Sequence, residues 1–257
     1  MGHSGSKLAS MHIPEEMATQ AFPRRFVATH KKSLTKIMAL LSDPDHPDAP
    51  AYAVSWAAGW YGNMTFHSGP TKDHEPLATA RSAGKLGSDF NVTLPALPPQ
   101  EQRTEMMRYK ASLKREMLWF AMQIGQGADA HVERFEWRRS RGAEVKGVEG
   151  GSGWGWKLVR MGSDASGAES QPTPGYEDDG DDVSRPDGRA SDGKEVVAVW
   201  ADAGLSLSRM GALEFKGSGA TGELGLLWSI MAAVTCMCIW QLRQQRNVSA
   251  ATSAAAS

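Results

Sequence analysis

Cysteine is nearly missing from this chain: of 257 residues only Cys236 and Cys238 carry a thiol, and both lie inside the last apolar block. Positions i and i+2 of a helix do not face one another, so the pair can share neither a disulfide nor a metal. A disulfide framework of the secreted type is excluded, which fits a reducing compartment. No apolar h-region follows Met1, so a secretory signal is not expected, and the sequons at Asn63, Asn91 and Asn247 are expected to stay unmodified. A large net charge is also lacking. The total is −1, which points away from nucleic acid as a partner. Alternation of strands with long helices is absent too, and that excludes a parallel α/β sheet.

The signatures of common catalytic sites are missing as well. There is no G-x-S-x-G elbow, no H-E-x-x-H and no Cys/His zinc spacing. The seven histidines are scattered, mostly in loop-like surroundings. No catalytic, cofactor-binding or metal-ligating residue is therefore assigned, and a non-enzymatic role is expected, with an enzyme whose site no motif announces as an alternative. Two look-alikes fail on context. "GSGATG" (217–222) spells G-x-G-x-x-G after an apparent strand, but no βαβ unit follows it. It reads as a turn into a buried helix. "GRASDGKE" (188–195) approaches a phosphate-binding loop, yet Glu195 stands where Ser or Thr must hold magnesium.

What is there is mostly strand. Residues 1–22 are polar and unpatterned, a flexible leader whose "MGHSGS" fits the loose N-myristoylation pattern at Gly2. "KKSLTKIMALLSD" places Leu34, Ile37, Met38 and Leu41 at helical spacing behind Ser33, predicting a short amphipathic helix. "DPDHPDAP" (43–50) ends it. From residue 51 onward short strands follow: "AYAVSWAAGWYGNMTFHSG", "PLATARSAG", "SDFNVTLPAL", "HVERFEWRRS", "GWGWKLVRM", "KEVVAVWAD" and "GALEFKG". Residues 101–124 read equally as helix or as helix running into strand. Residues 161–194 hold nine acidic and three basic residues, a local charge of −6, with few apolar side chains. They read as a disordered acidic insertion. By difference from the total of −1, the rest of the chain carries +5. Residues 247–257 read as a disordered tail.

Basic residues cluster at Arg24, Arg25, Lys31, Lys32 and Lys36, and again at Arg138, Arg139, Arg141 and Lys146. Such clusters are solvated faces by default; the functional alternative is contact with an anionic lipid surface. Arg138, Arg139 and Arg141 are the candidates for that contact.

The block "ELGLLWSIMAAVTCMCIWQLRQQR" (223–246) decides the fold. Leu224 to Leu242 is free of charge and about 28 Å long as a helix, just enough for a bilayer core of about 30 Å. A tail anchor is thus one reading. Burial inside the protein is the favoured one. Trp228 and Trp240 stand only about 18 Å apart, too close to mark opposite interfaces. Arg243 and Arg246 complement a helix C-terminal dipole in a soluble protein, whereas a tail anchor would place them on the wrong side of the membrane. An all-β body with one helix apolar on every side has a physical solution: a closed antiparallel β-barrel threaded by the helix, since closure removes the sheet edges. The expected class is mainly β, over residues 23–246, with a central helix at 223–246.

The ordered set "FHSGP…PLATAR", "SDFNVTL", "FEWRRS", "GWKLVR", "KEVVAVW" and "GELGLLWSIMAAVTCMCIWQ" resembles the tubby-like superfamily. It is most similar to that superfamily's fungal members, alongside the LURP-one-related proteins and phospholipid scramblases. The resemblance covers roughly residues 23–246 without the acidic insertion. It implies a barrel around a hydrophobic C-terminal helix and phospholipid as a partner. The cysteine-rich palmitoylation segment of scramblases has no counterpart here. A cytoplasmic monomer touching anionic membrane surfaces is the expectation.

Overall fold

The computed structural model describes residues 11–19, 21–32, 37–83, 88–98, 100–111, 116–163, 188–204, 206 and 208–255. Alternation of apolar residues with period two builds most of it. In "DFNVTL" the buried apolar set is Phe90, Val92 and Leu94; in "EMLWFAMQI" it includes Leu118, Phe120, Met122 and Ile124. A strand turns such residues to one face, and here that face is the inside of a barrel.

The wall consists of β1 (Arg25–Lys32), β2 (Ile37–Ser42), β3 (Pro50–Trp60), β4 (Met64–His67), β5 (Pro76–Ala83), β6 (Asp89–Leu94), β7 (Arg103–Ala111), β8 (Glu116–Ile124), β9 (His131–Ser140), β10 (Gly151–Gly162), β11 (Glu195–Ala203) and β12 (Arg209–Phe215). Each strand pairs antiparallel with its neighbours in sequence, and β1 pairs with β12 to close the ring. The closing register sets Phe26 opposite Leu213. Short helices α1 (Glu15–Thr19), α2 (Ala143–Lys146) and α3 (Gly217–Thr221) lie at the margins, and α4 (Leu226–Ala255) runs through the bore.

From Leu227 to Leu242 α4 is apolar on nearly every side because every side there meets a wall. Trp228, Ile230, Met231, Val234, Met237 and Cys238 are buried among the inward residues of the strands. Two pairs of polar handles inside the bore satisfy each other. Trp137 Nε1 donates to Thr235 Oγ1 at 2.9 Å, and Trp56 Nε1 donates to Gln241 Oε1 at 2.9 Å. The two cysteine thiols are free and buried, and burial pushes their pKa well up.

A second, smaller core lies outside the barrel. Val145 and Val148 around α2 and Ala190 in the 188–194 loop cover the outward residues Val159, Val196, Val199 and Ala212 of β10, β11 and β12.

Five expectations are corrected, the last in part. The helix read over "KKSLTKIMALLSD" is the end of β1 followed by β2, with residues 33–36 outside the described set. Ala39 and Leu41 face the core at strand spacing, and pairing of β2 to both β1 and β3 overrides the local helical pattern. Residues 101–124 hold two strands, β7 and β8. The leader is docked over its second half: Met11 is buried, its N–H donates to Gln102 Oε1 at 2.8 Å, and Phe22 packs against Phe26, Tyr52 and Phe215. The expected tail is helical as far as Ala255. Of the acidic insertion, residues 164–187 lie outside the described residues, while 188–194 are docked on the barrel.

Candidate functional site

The two ends of α4 define the two ends of the barrel. Trp228 lies beside Phe215 and Phe135 at the entry end, while Trp240 lies beside Trp60 and His30 at the exit end. β1 therefore carries Lys31, an exposed residue, toward the exit end. The side chains of Lys32 and Lys36 are outside the described set.

A cavity of about 240 Å³ opens at the exit mouth between α4 and the ends of β8, β9, β10 and β11. Arg139, Arg243 and Arg246 line it together with Glu116 and Asp202, and Leu118, Ile239 and Leu242 form its apolar part. Three guanidinium groups against two carboxylates leave one net positive charge. Arg243 Nη1 binds Asp202 Oδ2 at 2.6 Å, and Trp200 Nε1 donates to the other oxygen of that carboxylate at 2.9 Å. Arg246 binds Glu116 and lies over the Tyr109 ring. Arg139 has the loosest pairing, 3.6 Å from Glu116, with its guanidinium over Trp156. All three side chains remain about half exposed, at 45%, 54% and 47% for Arg139, Arg243 and Arg246. Planar forks held by carboxylates on one side and open to solvent on the other suit a phosphate or carboxylate ligand.

Two exposed aromatic residues flank this mouth. Tyr61 is 62% exposed and hydrogen-bonds to Gln245 O and Ser249 Oγ of α4. Trp154 is 42% exposed beneath the Arg141 guanidinium.

The structure separates the three arginines singled out in the sequence. Arg139 lines the mouth and Arg141 stacks on its rim. Arg138 is corrected: it points to the outside of the wall, where the 188–194 loop covers it, and it is 0% exposed. Its Nη2 donates to Glu136 Oε2 at 2.8 Å and its Nη1 to Asp192 Oδ2 at 2.9 Å. Burial pulls its pKa down, the two carboxylates more than offset that, and the residue is held charged. A surface headgroup cannot reach it. The sequence reading passed over Arg243 and Arg246, assigning them to the helix dipole. α4 continues nine residues past Arg246, and its last turn carries no basic residue, so the dipole reading is corrected. Their i, i+3 spacing, which puts both on one helix face, was the available signal.

The glycine-rich "GSGATG" forms α3, and its amide end is already occupied by protein. Ser218 N–H donates to Glu195 Oε1 at 2.7 Å and Ser218 Oγ to Glu195 Oε2 at 2.9 Å. Gly219 is required by close approach, since a Cβ there would sit 2.3 Å from Val197 O. "GRASDGKE" supplies Ala190 to the outer core, Asp192 to Arg138 and Glu195 to α3.

His67 accepts from Ser55 Oγ through Nε2 at 2.8 Å when its Nδ1–H donates to His74 O at 3.0 Å. Burial lowers its pKa, so it is neutral near pH 7. Neither residue lines the cavities at the two ends of the barrel, so the pair reads as structural. Among the described residues no group of three or more His, Cys, Asp or Glu could hold a metal.

Comparison of the chain with protein-family models, with characterised proteins and with solved structures gives no match. Its class is therefore defined by architecture: a closed antiparallel β-barrel filled by its own C-terminal helix, with a basic mouth where that helix leaves.

Proposed function

We propose that this protein is a non-enzymatic, tubby-like barrel that binds anionic phospholipid at the exit mouth, acting in the cytoplasm and peripherally at membranes. The observation that carries the reading is the grouping of Arg139, Arg243 and Arg246 around one solvent-open cavity with an apolar floor. Lys31, Arg141, Tyr61 and Trp154 at the same end add to it. Guanidinium forks take phosphate oxygens bidentately, and amphipathic aromatic rings settle at the headgroup level. A headgroup enters beside α4, which continues outward past the rim. Each basic residue near an anionic surface contributes about 1 kcal/mol, so the affinity is modest and falls with salt.

The test is co-sedimentation with phosphatidylcholine vesicles, with and without phosphatidylinositol bisphosphate. Binding is expected only to the anionic vesicles, and Arg243→Gln with Arg246→Gln should weaken it about tenfold or more. Equal recovery with neutral vesicles, or none with either, rules the reading out.

A further inference from the structure

At the entry end, about 24 Å along α4 from Arg243, lies a second cavity of about 230 Å³ between the ends of β7 and β8 and the 222–226 turn. Three of its lining residues carry buried polar atoms without a hydrogen-bond partner among the described residues: Gln100 Oε1, Arg103 Nε and Nη2, and Trp228 Nε1. Trp228 is wholly buried. Arg103 Nε lies 3.3 Å from Glu105 Oε1, so it has a counter-ion but no hydrogen bond to it. Buried polar groups are satisfied in the large majority of cases. Three exceptions around one cavity mark a place built for something that supplies the missing partners.

The chemistry of the lining selects what that is. Donors dominate: the guanidinium N–H groups of Arg103, the indole N–H of Trp228, and the first-turn amides of α4, a helix of thirty residues whose N-terminus is the positive end of its dipole. A half-turn of the Gln100 amide adds its NH2. The rest of the wall is apolar, including Leu97, Met122 and Leu224. The charged lining residues are Arg103 and Glu223, which cancel, and Glu223 is engaged by Arg160 at 2.7 Å. A dianion finds no net charge to balance it there. A monoanion finds the dipole and unused N–H groups.

We propose that this cavity binds a small monocarboxylate bearing a short apolar chain. The carboxylate accepts from Arg103 and Trp228 at the start of α4, and the chain lies against Leu97, Met122 and Leu224. The site is independent of the headgroup site at the opposite mouth.

The experiment is calorimetric titration of the full-length protein with octanoate, with octanol as the uncharged counterpart, below the concentrations at which either aggregates. Saturable binding of octanoate and none of octanol is expected. Trp228→Phe, which keeps the ring and removes the N–H, and Arg103→Gln should each raise Kd about tenfold. Arg243→Gln with Arg246→Gln should leave it unchanged, which separates this site from the proposed headgroup site. If Trp228→Phe does not fold, Arg103→Gln carries the test. Absence of saturable octanoate binding overturns the proposal, as does equal binding of octanol or wild-type affinity in both folded variants. A cavity holding only ordered water after crystallisation from octanoate overturns it too.

Discussion

Gln241 is a polar residue near the end of an apolar run, fully buried, with both ends of its amide in use. Oε1 accepts from Trp56 Nε1, while Nε2 donates to the carbonyls of Trp60 and Gly62 at 2.7 and 3.0 Å. These bonds fix the depth of α4 in the bore, because a slip by one turn, about 5.4 Å, would break all three. Replacing Gln241 by Leu keeps the apolar volume but strands the Trp56 N–H. A buried group left unsatisfied costs about 1–3 kcal/mol, so Gln241→Leu should lower the unfolding free energy by about 3 kcal/mol once the lost carbonyl contacts are included. A denaturant midpoint equal to that of the wild type would show that these bonds do not hold the helix. In the sequence Gln241 carries no role of its own; only its partners, some 180 residues away, give it this one.

At the scale of elements, β9 shows where pattern reading stopped. Phe135 and Trp137 are its apolar positions in the sequence, while Arg138 belonged to a cluster read by default as solvated, and its same-face neighbours Arg134 and Glu136 carried no reading. All three are buried: the 188–194 loop reaches Arg138 through Asp192, Glu136 sits between Arg134 and Arg138, and Arg134 lies over the Trp119 ring. Asp192 anchors that loop on Arg138. Breaking a buried pair costs about 3–5 kcal/mol, and Arg138 would keep Glu136, so Asp192→Asn should cost about 2–3 kcal/mol. The loss should be local. The amides of Ala190 and Gly193, bonded to Lys194 O and Ala190 O within the loop, should exchange with solvent faster in the variant. Unchanged exchange at both positions would mean that the apolar seat of Ala190 suffices without the ion pair.

For the molecule as a whole, α4 and the barrel need each other. The helix is long and apolar enough to cross a membrane, yet 89% of its 18-residue apolar window is buried inside the protein. A bilayer and the barrel would compete for the same side chains. Without α4 the inward residues of the wall line a void far larger than side chains can collapse into, and cavity cost rises with residual volume. A chain truncated after Gly222 should therefore fail to give the cooperative unfolding transition of the full-length protein. A folded, soluble β domain from that truncation would support the anchor reading instead.

The sequence by itself determined the class of the molecule. Period-two alternation, short turns and one helix apolar on all sides leave few ways to bury the apolar surface, and a closed barrel around the helix satisfies them all. It also located most strands, because inward residues such as Phe90, Val92 and Leu94 repeat locally. Tertiary structure alone decided β2, where pairing on both edges overrode a helical pattern, and the extent of α4, whose outer turns have no apolar stripe to announce them. It also decided which arginines reach solvent. Arg138 and Arg139 are adjacent in sequence, but a strand turns one outward under a covering loop and the other to the mouth. What lies over each face is a property of long-range packing, and no local pattern encodes it.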